Sequence, residues 1–261
     1  MGPGGKSVRN LLKRLILGTA LEPIARKALA AVKRGAPSAS TLYDIQTLEV
    51  TRRVLERDSN CVDVGCHKGA ILKHILRLAP EGTHVAFEPI PRMYRHLVQT
   101  FGARASVHIH DIALSDRAGT ASFHHVVANP AFSGLGKRRF DSPEIEEIRV
   151  RTDLLDALIP AHVPIRFIKV DVEGAEQQVL RGAIETIRRN RPFIVFEHGI
   201  GGADFFGTKP EDVYDLLTRR CGLQILLMSD WLAAESAPAL TREGFREQFV
   251  TNKNYYFMAC P

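Results

Sequence analysis

The alternation of short apolar strands with amphipathic helices constrains this chain more than any other feature. From about residue 41 a helix over 43–57 leads into "CVDVG" (61–65), and "AILKHILRLA" (70–79) follows as a helix stopped by Pro80-Glu81-Gly82. "THVAFEP" (83–89), "PRMYRHLVQTF" (91–101) and "ASVHIHDIALS" (105–115) repeat the pattern as strand, helix and strand. "TASFHHVV" (120–127) reads as an added strand, 128–150 as a polar excursion, and "TDLLDALI" (152–159) as a short helix. "IRFIKVDVEG" (165–174), "AEQQVLRGAIETIRR" (175–189) and "RPFIVFEHG" (191–199) supply a fourth strand, one continuous helix and a fifth strand. After a helix over 210–220, "GLQILLMSD" and "NKNYYFMAC" are strands with no helical pattern of comfortable length between Trp231 and Asn252. The last strand is therefore expected to run antiparallel beside its predecessor. Such alternation predicts a mainly parallel seven-stranded sheet with helices on both faces. In that architecture ligands sit outside the carboxyl ends of the central strands, at the switch point.

Charge divides the chain. Residues 1–35 hold eight Lys and Arg against Glu22 alone, a balance of +7 within an overall +6, so residues 36–261 carry −1. We expect a basic amphipathic helical arm with its linker over 1–40 and a catalytic domain over 41–261. Val8, Leu11, Leu12 and Leu15 give the arm an apolar stripe, which suits peripheral contact with an anionic membrane surface through residues 6–34. No basic stripe with interleaved aromatics runs through the body, so nucleic acid is not an expected partner. The apolar run after Lys13-Arg14 is cut by Glu22-Pro23, which fits neither a signal sequence nor a span of ~20 residues. A cytoplasmic protein, peripheral to the inner face of the membrane, is expected, with Cys61, Cys66, Cys221 and Cys260 reduced.

The turn after the first strand reads Asp63-Val64-Gly65-Cys66-His67-Lys68-Gly69. It lacks the middle glycine of G-x-G-x-x-G, and Asp63 would aim negative charge at any phosphate. A carboxylate there suits a ligand that is positively charged and phosphate-free. S-adenosylmethionine, with its sulfonium and α-ammonium, meets both conditions and would pass over Gly65 and Gly69, which carry no Cβ. Glu88, nineteen residues after Gly69 at the end of the second strand, is placed to accept from both ribose hydroxyls. Asp111-Ile112 after the third strand is placed to meet an adenine. Three acids in register on successive strand ends describe a nucleoside-type site.

"VDVGCHKG" (62–69), "AFEPIP" (86–91), "ALSDRAG" (113–119), "IKVDVEGAEQQVLRG" (168–182) and "FIVFEHG" (193–199) together resemble the FkbM-type family of S-adenosylmethionine-dependent methyltransferases. The resemblance runs over 58–199 and departs from the family pattern at Cys66-His67-Lys68. It implies a Rossmann-like class I methyltransferase fold and O-methylation of a hydroxyl on a sugar, glycolipid or related natural product.

Methyl transfer needs donor and acceptor aligned and a base for the hydroxyl proton. Asp171 and Glu173 after the fourth strand and His198 after the fifth are the catalytic candidates, with His198 as base because its intrinsic pKa lies near neutrality. Lys169 is expected to neutralise the acids, and Glu176 to cap the helix it opens. A competing arrangement uses Asp171, Glu197 and His198 as ligands of Mg²⁺ or a similar ion. Two other readings share the fold: an NAD(P)-dependent oxidoreductase, disfavoured by the missing glycine and by Asp63, and a non-catalytic nucleoside-binding module, disfavoured by the acids and His198.

Overall fold

The structure, a computed structural model, describes residues 38–126, 133–135 and 145–261. The expected arm helices, the expected membrane contact at 6–34 and residues 128–132 and 136–144 of the polar excursion lie outside the described residues. The chain divides into two compact units, residues 1–53 and 54–261. Helix α1 (Ala39–Val54) starts four residues before the expected position because the Ser38 hydroxyl accepts from the Thr41 N–H at 3.2 Å, an N-cap.

In the second unit the chain passes through β1 (Cys61–Val64), α2 (Ala70–Leu78), β2 (His84–Phe87), α3 (Pro91–Phe101), β3 (Val107–His110) and β4 (Ile112–Leu114). It continues through β5 (Gly119–Val126), β6 (Ile145–Asp153), α4 (Leu155–Leu158), β7 (Phe167–Val170), α5 (Glu176–Arg181) and α6 (Ile184–Asn190). β8 (Phe193–Glu197), α7 (Pro210–Asp215), β9 (Gln224–Leu226), α8 (Met228–Ala233), α9 (Arg242–Val250) and β10 (Tyr256–Cys260) complete it. The main sheet has seven strands in the order β3-β2-β1-β7-β8-β10-β9. β10 runs antiparallel to both β8 and β9, and the pairings from β3 through β8 are parallel. The expected architecture is therefore the observed one.

Register explains why these strands read as unbroken apolar runs. Val62 pairs with Val85 and Ile168, and Val64 with Phe87 and Val170, so one face of the sheet is a row of branched and aromatic side chains. That face forms one core with Val179, Leu180 and Ile187 of α5 and α6. Ala86 faces the other way, into a second core with Leu72 and Leu76 of α2 and Leu97 and Phe101 of α3. Each such side chain fully buried is worth ~1.5–3 kcal/mol, which gives both faces a reason to be covered.

Four expectations need correction. The third strand is broken at Asp111: β3 stays in the main sheet, whereas β4 joins β5 and β6 in a separate three-stranded sheet. The excursion at 128–150 runs into β6, which the sequence hides because Ile145, Ile148 and Val150 are its only apolar residues. The helix over 175–189 is two helices, the second capped from outside: Asp156 accepts from the Glu185 and Thr186 N–H groups at 3.0 and 2.7 Å. Finally, α8 and α9 lie between Trp231 and Asn252 or overlap its start. α9 shows just Phe245 and Phe249 as an apolar i, i+4 pair, and its start is marked by Thr241, whose hydroxyl accepts from the Gly244 N–H.

Candidate active site

β1 and β7 lie side by side at the centre of the sheet, and the chain winds outward from them in opposite directions. Their carboxyl ends form the switch-point crevice. The turn that leaves β1 is fixed to its neighbours. Gly65 and Cys66 donate their N–H groups to the Phe87 carbonyl, and Asp171 donates its N–H to the Val64 carbonyl. Gly65 and Gly69 both have φ +75°, a left-handed conformation open to glycine. Their missing Cβ atoms leave room for protein rather than ligand: a Cβ on Gly65 would strike the Asp171 carbonyl, and one on Gly69 would strike Leu97 and Phe101. The glycines expected to clear a path for a cofactor are those that let β7 and α3 close on the turn.

Beneath this turn lies a charged cluster. Asp63 is buried, and Lys169 Nζ stands 3.6 Å from its Oδ1, 3.3 Å from Asp171 Oδ2 and 3.0 Å from the Gly65 carbonyl to which it donates. Burial works against the charged form of Lys169, but the Asp171 and Asp63 carboxylates outweigh it and push its pKa up. Burial would likewise raise Asp171, yet the Lys169 ammonium and hydrogen bonding with Tyr256, Lys169 and Glu197 hold it below the usual carboxylate range. Lys169 thus neutralises part of the acidic cluster, as the sequence suggests. Asp63 shares the Lys169 ammonium with Asp171 and lies beside the Cys66 thiol, but neither of its oxygens reaches full hydrogen-bond geometry among the described residues, which leaves lone pairs for a further donor.

Glu88, at the end of β2, ties the same turn down: Oε2 accepts from the His67 N–H at 2.7 Å and Oε1 from the Ile90 N–H at 3.0 Å. Burial lifts its pKa to about 7 against these two bonds. Each oxygen retains a lone pair for a further donor such as a ribose hydroxyl. Asp111 is half-exposed beyond the end of β3, 3.9 Å from Arg151 Nη1. The Ile112 side chain is buried in the core, so its backbone is what it can offer a base. His67, at φ +50°, takes the left-handed place between the two glycines; burial, then Lys68 and Lys169, lower its pKa. The set Asp63, Glu88 and the glycine turn fits S-adenosylmethionine, because it places two buried carboxylates at adjacent strand ends and neither Asp63 oxygen makes a hydrogen bond of full geometry among the described residues.

On the acceptor side the structure gathers Asp171, Glu173 and Glu197, which each offer an oxygen within 4.8 Å of the others. It does not bring His198 to them. Phe196 and His198 both pack on Phe245, so they share one face of the strand line, and Glu197 between them faces the other. The His198 ring lies between Phe245 and Phe249, with centroids 5.6 and 4.9 Å away, and both its nitrogens are buried without a hydrogen bond. Burial drops its pKa to about 4. The expectation of His198 as general base is therefore corrected, and so is the ligand set Asp171, Glu197 and His198: the third carboxylate is Glu173. Tyr256, which sequence reasoning missed, reaches this cluster because β10 places it directly opposite Glu197.

A twisted, mainly parallel sheet with this strand order and an acidic switch-point crevice defines the Rossmann-like methyltransferase class. Residues 63–225 match the Methyltransferase FkbM domain, and the chain belongs to that family of S-adenosylmethionine-dependent methyltransferases. It is similar to the 2-O-methyltransferase NoeI of Sinorhizobium fredii, at 29% identity over 173 residues that cover 58% of this chain and 70% of the relative. Among solved structures, methyltransferase FkbM from Methylobacillus flagellatus aligns with 92% of this chain and 60% of its own length, at 13% identity and TM-score 0.49. Aeropyrum pernix fibrillarin, solved with natively bound S-adenosyl-L-methionine, aligns over 80% of this chain and 68% of its own at 12% identity and TM-score 0.41. Among the described residues no helix is long and apolar enough to cross a membrane.

Proposed function

We propose that this chain methylates a hydroxyl of a sugar, glycolipid or related natural product. The observation that carries this reading is the convergence of Asp171, Glu173 and Glu197 at the carboxyl ends of β7 and β8, within 4.8 Å of one another. When bound, S-adenosylmethionine supplies an electrophilic methyl group. Asp63, Glu88, Asp111 and Ile112 hold the donor over the turn whose shape Gly65 and Gly69 allow, with Asp63 facing its positive charge. Asp171, kept anionic by Lys169 and Tyr256, orients the acceptor hydroxyl, and the Glu173 carboxylate receives its proton as the C–O bond forms and the methyl–sulfur bond breaks, its electron pair leaving with the neutral thioether. The NoeI relative, named a 2-O-methyltransferase, supports oxygen as the acceptor atom.

The +7 balance of residues 1–35 supports a further part of this reading, in which residues 6–34 rest on anionic lipid at the inner face of the membrane and meet a glycolipid acceptor. A second reading, a divalent ion held by Asp171, Glu173 and Glu197, is favoured by their spacing alone. The test is incubation of purified full-length protein with methyl-labelled S-adenosylmethionine and a panel of free sugars, glycolipids and polyketide alcohols, with and without EDTA. Alkali-stable label in a hydroxylated acceptor, unaffected by EDTA, supports proton transfer to Glu173. Loss of label on chelation supports the metal, and label confined to amines or carboxylates overturns methylation of a hydroxyl.

A further inference from the structure

The buried carboxylate of Glu176 has no place in the chemistry above, and its geometry is unusual. It opens α5, where its carboxylate also bonds its own backbone N–H as the expected cap would, and it reaches back as well: a single oxygen, Oε1, accepts from the Val172 N–H and the Gly174 N–H, each at 3.0 Å. These two amides flank Glu173, whose φ of +62° is left-handed, a costly state for a residue other than glycine. The far side of the turn is closed as well: Gly174 has φ +110°, and a Cβ there would run into the backbone of Gly202. A strained residue held between two fastened amides has one direction in which to present its side chain.

We propose that Glu176 is a positioning residue: by binding the amides on both sides of Glu173 it holds the left-handed turn that places the Glu173 carboxylate beside Asp171 and Glu197. This inference rests on the reading of Glu173 as proton acceptor. A purely stabilising Glu176 would lower stability and activity together. A positioning Glu176 acts through Glu173 alone. Displacement of a reacting group by ~1 Å costs on the order of 100-fold in rate, which sets the scale of the effect.

The experiment compares Glu176→Gln, Glu176→Asp and Glu176→Leu in the full chain. Glu176→Gln keeps an acceptor oxygen at the same reach and is expected to stay within about 5-fold of the parent kcat, whereas Glu176→Leu and the shorter Glu176→Asp fall by about 100-fold with cofactor affinity within about 3-fold. In a Glu173→Ala background, Glu176→Leu is expected to cost nothing further; an additive loss overturns the proposal. Amide exchange at Val172 and Gly174 gives a readout that does not depend on turnover. It should quicken in Glu176→Asp and Glu176→Leu and stay slow in Glu176→Gln, and unchanged protection in the first two overturns the proposal. Should Glu173→Ala leave kcat intact, the base assignment fails, and the exchange data still decide whether Glu176 fastens the turn.

Discussion

Glu197 and His198 are neighbours in the chain and opposites in environment. Glu197 joins Asp171 and Glu173 in a charged crevice, with Tyr256 and Lys169 bonded to the same cluster. His198 is sealed between Phe245 and Phe249, its two nitrogens without partners. One step along an extended strand turns a side chain through half a circle, so residue type alone does not decide which of two adjacent polar groups does chemistry. The crevice concentrates charge that a cationic ligand can answer. The aromatic layer tolerates a polar ring only in its neutral form.

The largest expected difference between the two regions is in turnover. Glu173→Gln or Asp171→Asn should lower kcat by about 10²–10⁴-fold, the range of a lost general base, with cofactor affinity nearly unchanged. His198→Leu should leave kcat within a few-fold. Steady-state rates with calorimetric cofactor titrations check both, and the reverse ranking would erase the contrast between Glu197's face and His198's.

The next effect is on stability and runs with acid. His198 is neutral in the fold down to about pH 4, whereas in the unfolded chain it takes up a proton below about pH 6.5. The unfolded state therefore binds more protons between these values, and the fold loses stability as pH falls, by ~3 kcal/mol for this group across the window. Glu88 and Glu176, both raised to about 7 by burial, act the other way: they add stability at low pH that fades as pH rises through 7. The net curve mixes these, so the informative quantity is a difference. Urea unfolding of the parent and of His198→Leu at pH 4.5 and 7 should show His198→Leu relatively more stable at the lower pH. An equal offset at both would place His198 in contact with solvent.

The same contrast separates what the chain reveals from what it conceals. The parallel sheet is legible because strands buried on both faces read as continuous apolar runs, and Val62, Ile168 and Ile194 need no neighbour to announce themselves. Asp63, Glu88 and the glycines stand out in the sequence as a candidate site because they fall at successive strand ends. What is hidden depends on pairing across the fold. Gly65 needs the carbonyl of Asp171 on the next strand to explain it. Tyr256 reaches Glu197 only through an antiparallel strand far along the chain. The cap on α6 comes from Asp156, and the conformation of Glu173 depends on a carboxylate three residues later that bonds backward. His198 misleads because its ordinary pKa invites a catalytic role that its aromatic surroundings remove.

On this reading the anionic crevice under the β1 turn takes a cationic sulfonium nucleoside rather than a dinucleotide. Isothermal titration of ligand-free protein with S-adenosylmethionine, S-adenosylhomocysteine and NADH tests it most directly. One-to-one binding of S-adenosylmethionine is expected, weakened about 10-fold in Asp63→Asn, equivalent to ~1.4 kcal/mol, with no heat from NADH. Saturable binding of NADH with none for S-adenosylmethionine would contradict it.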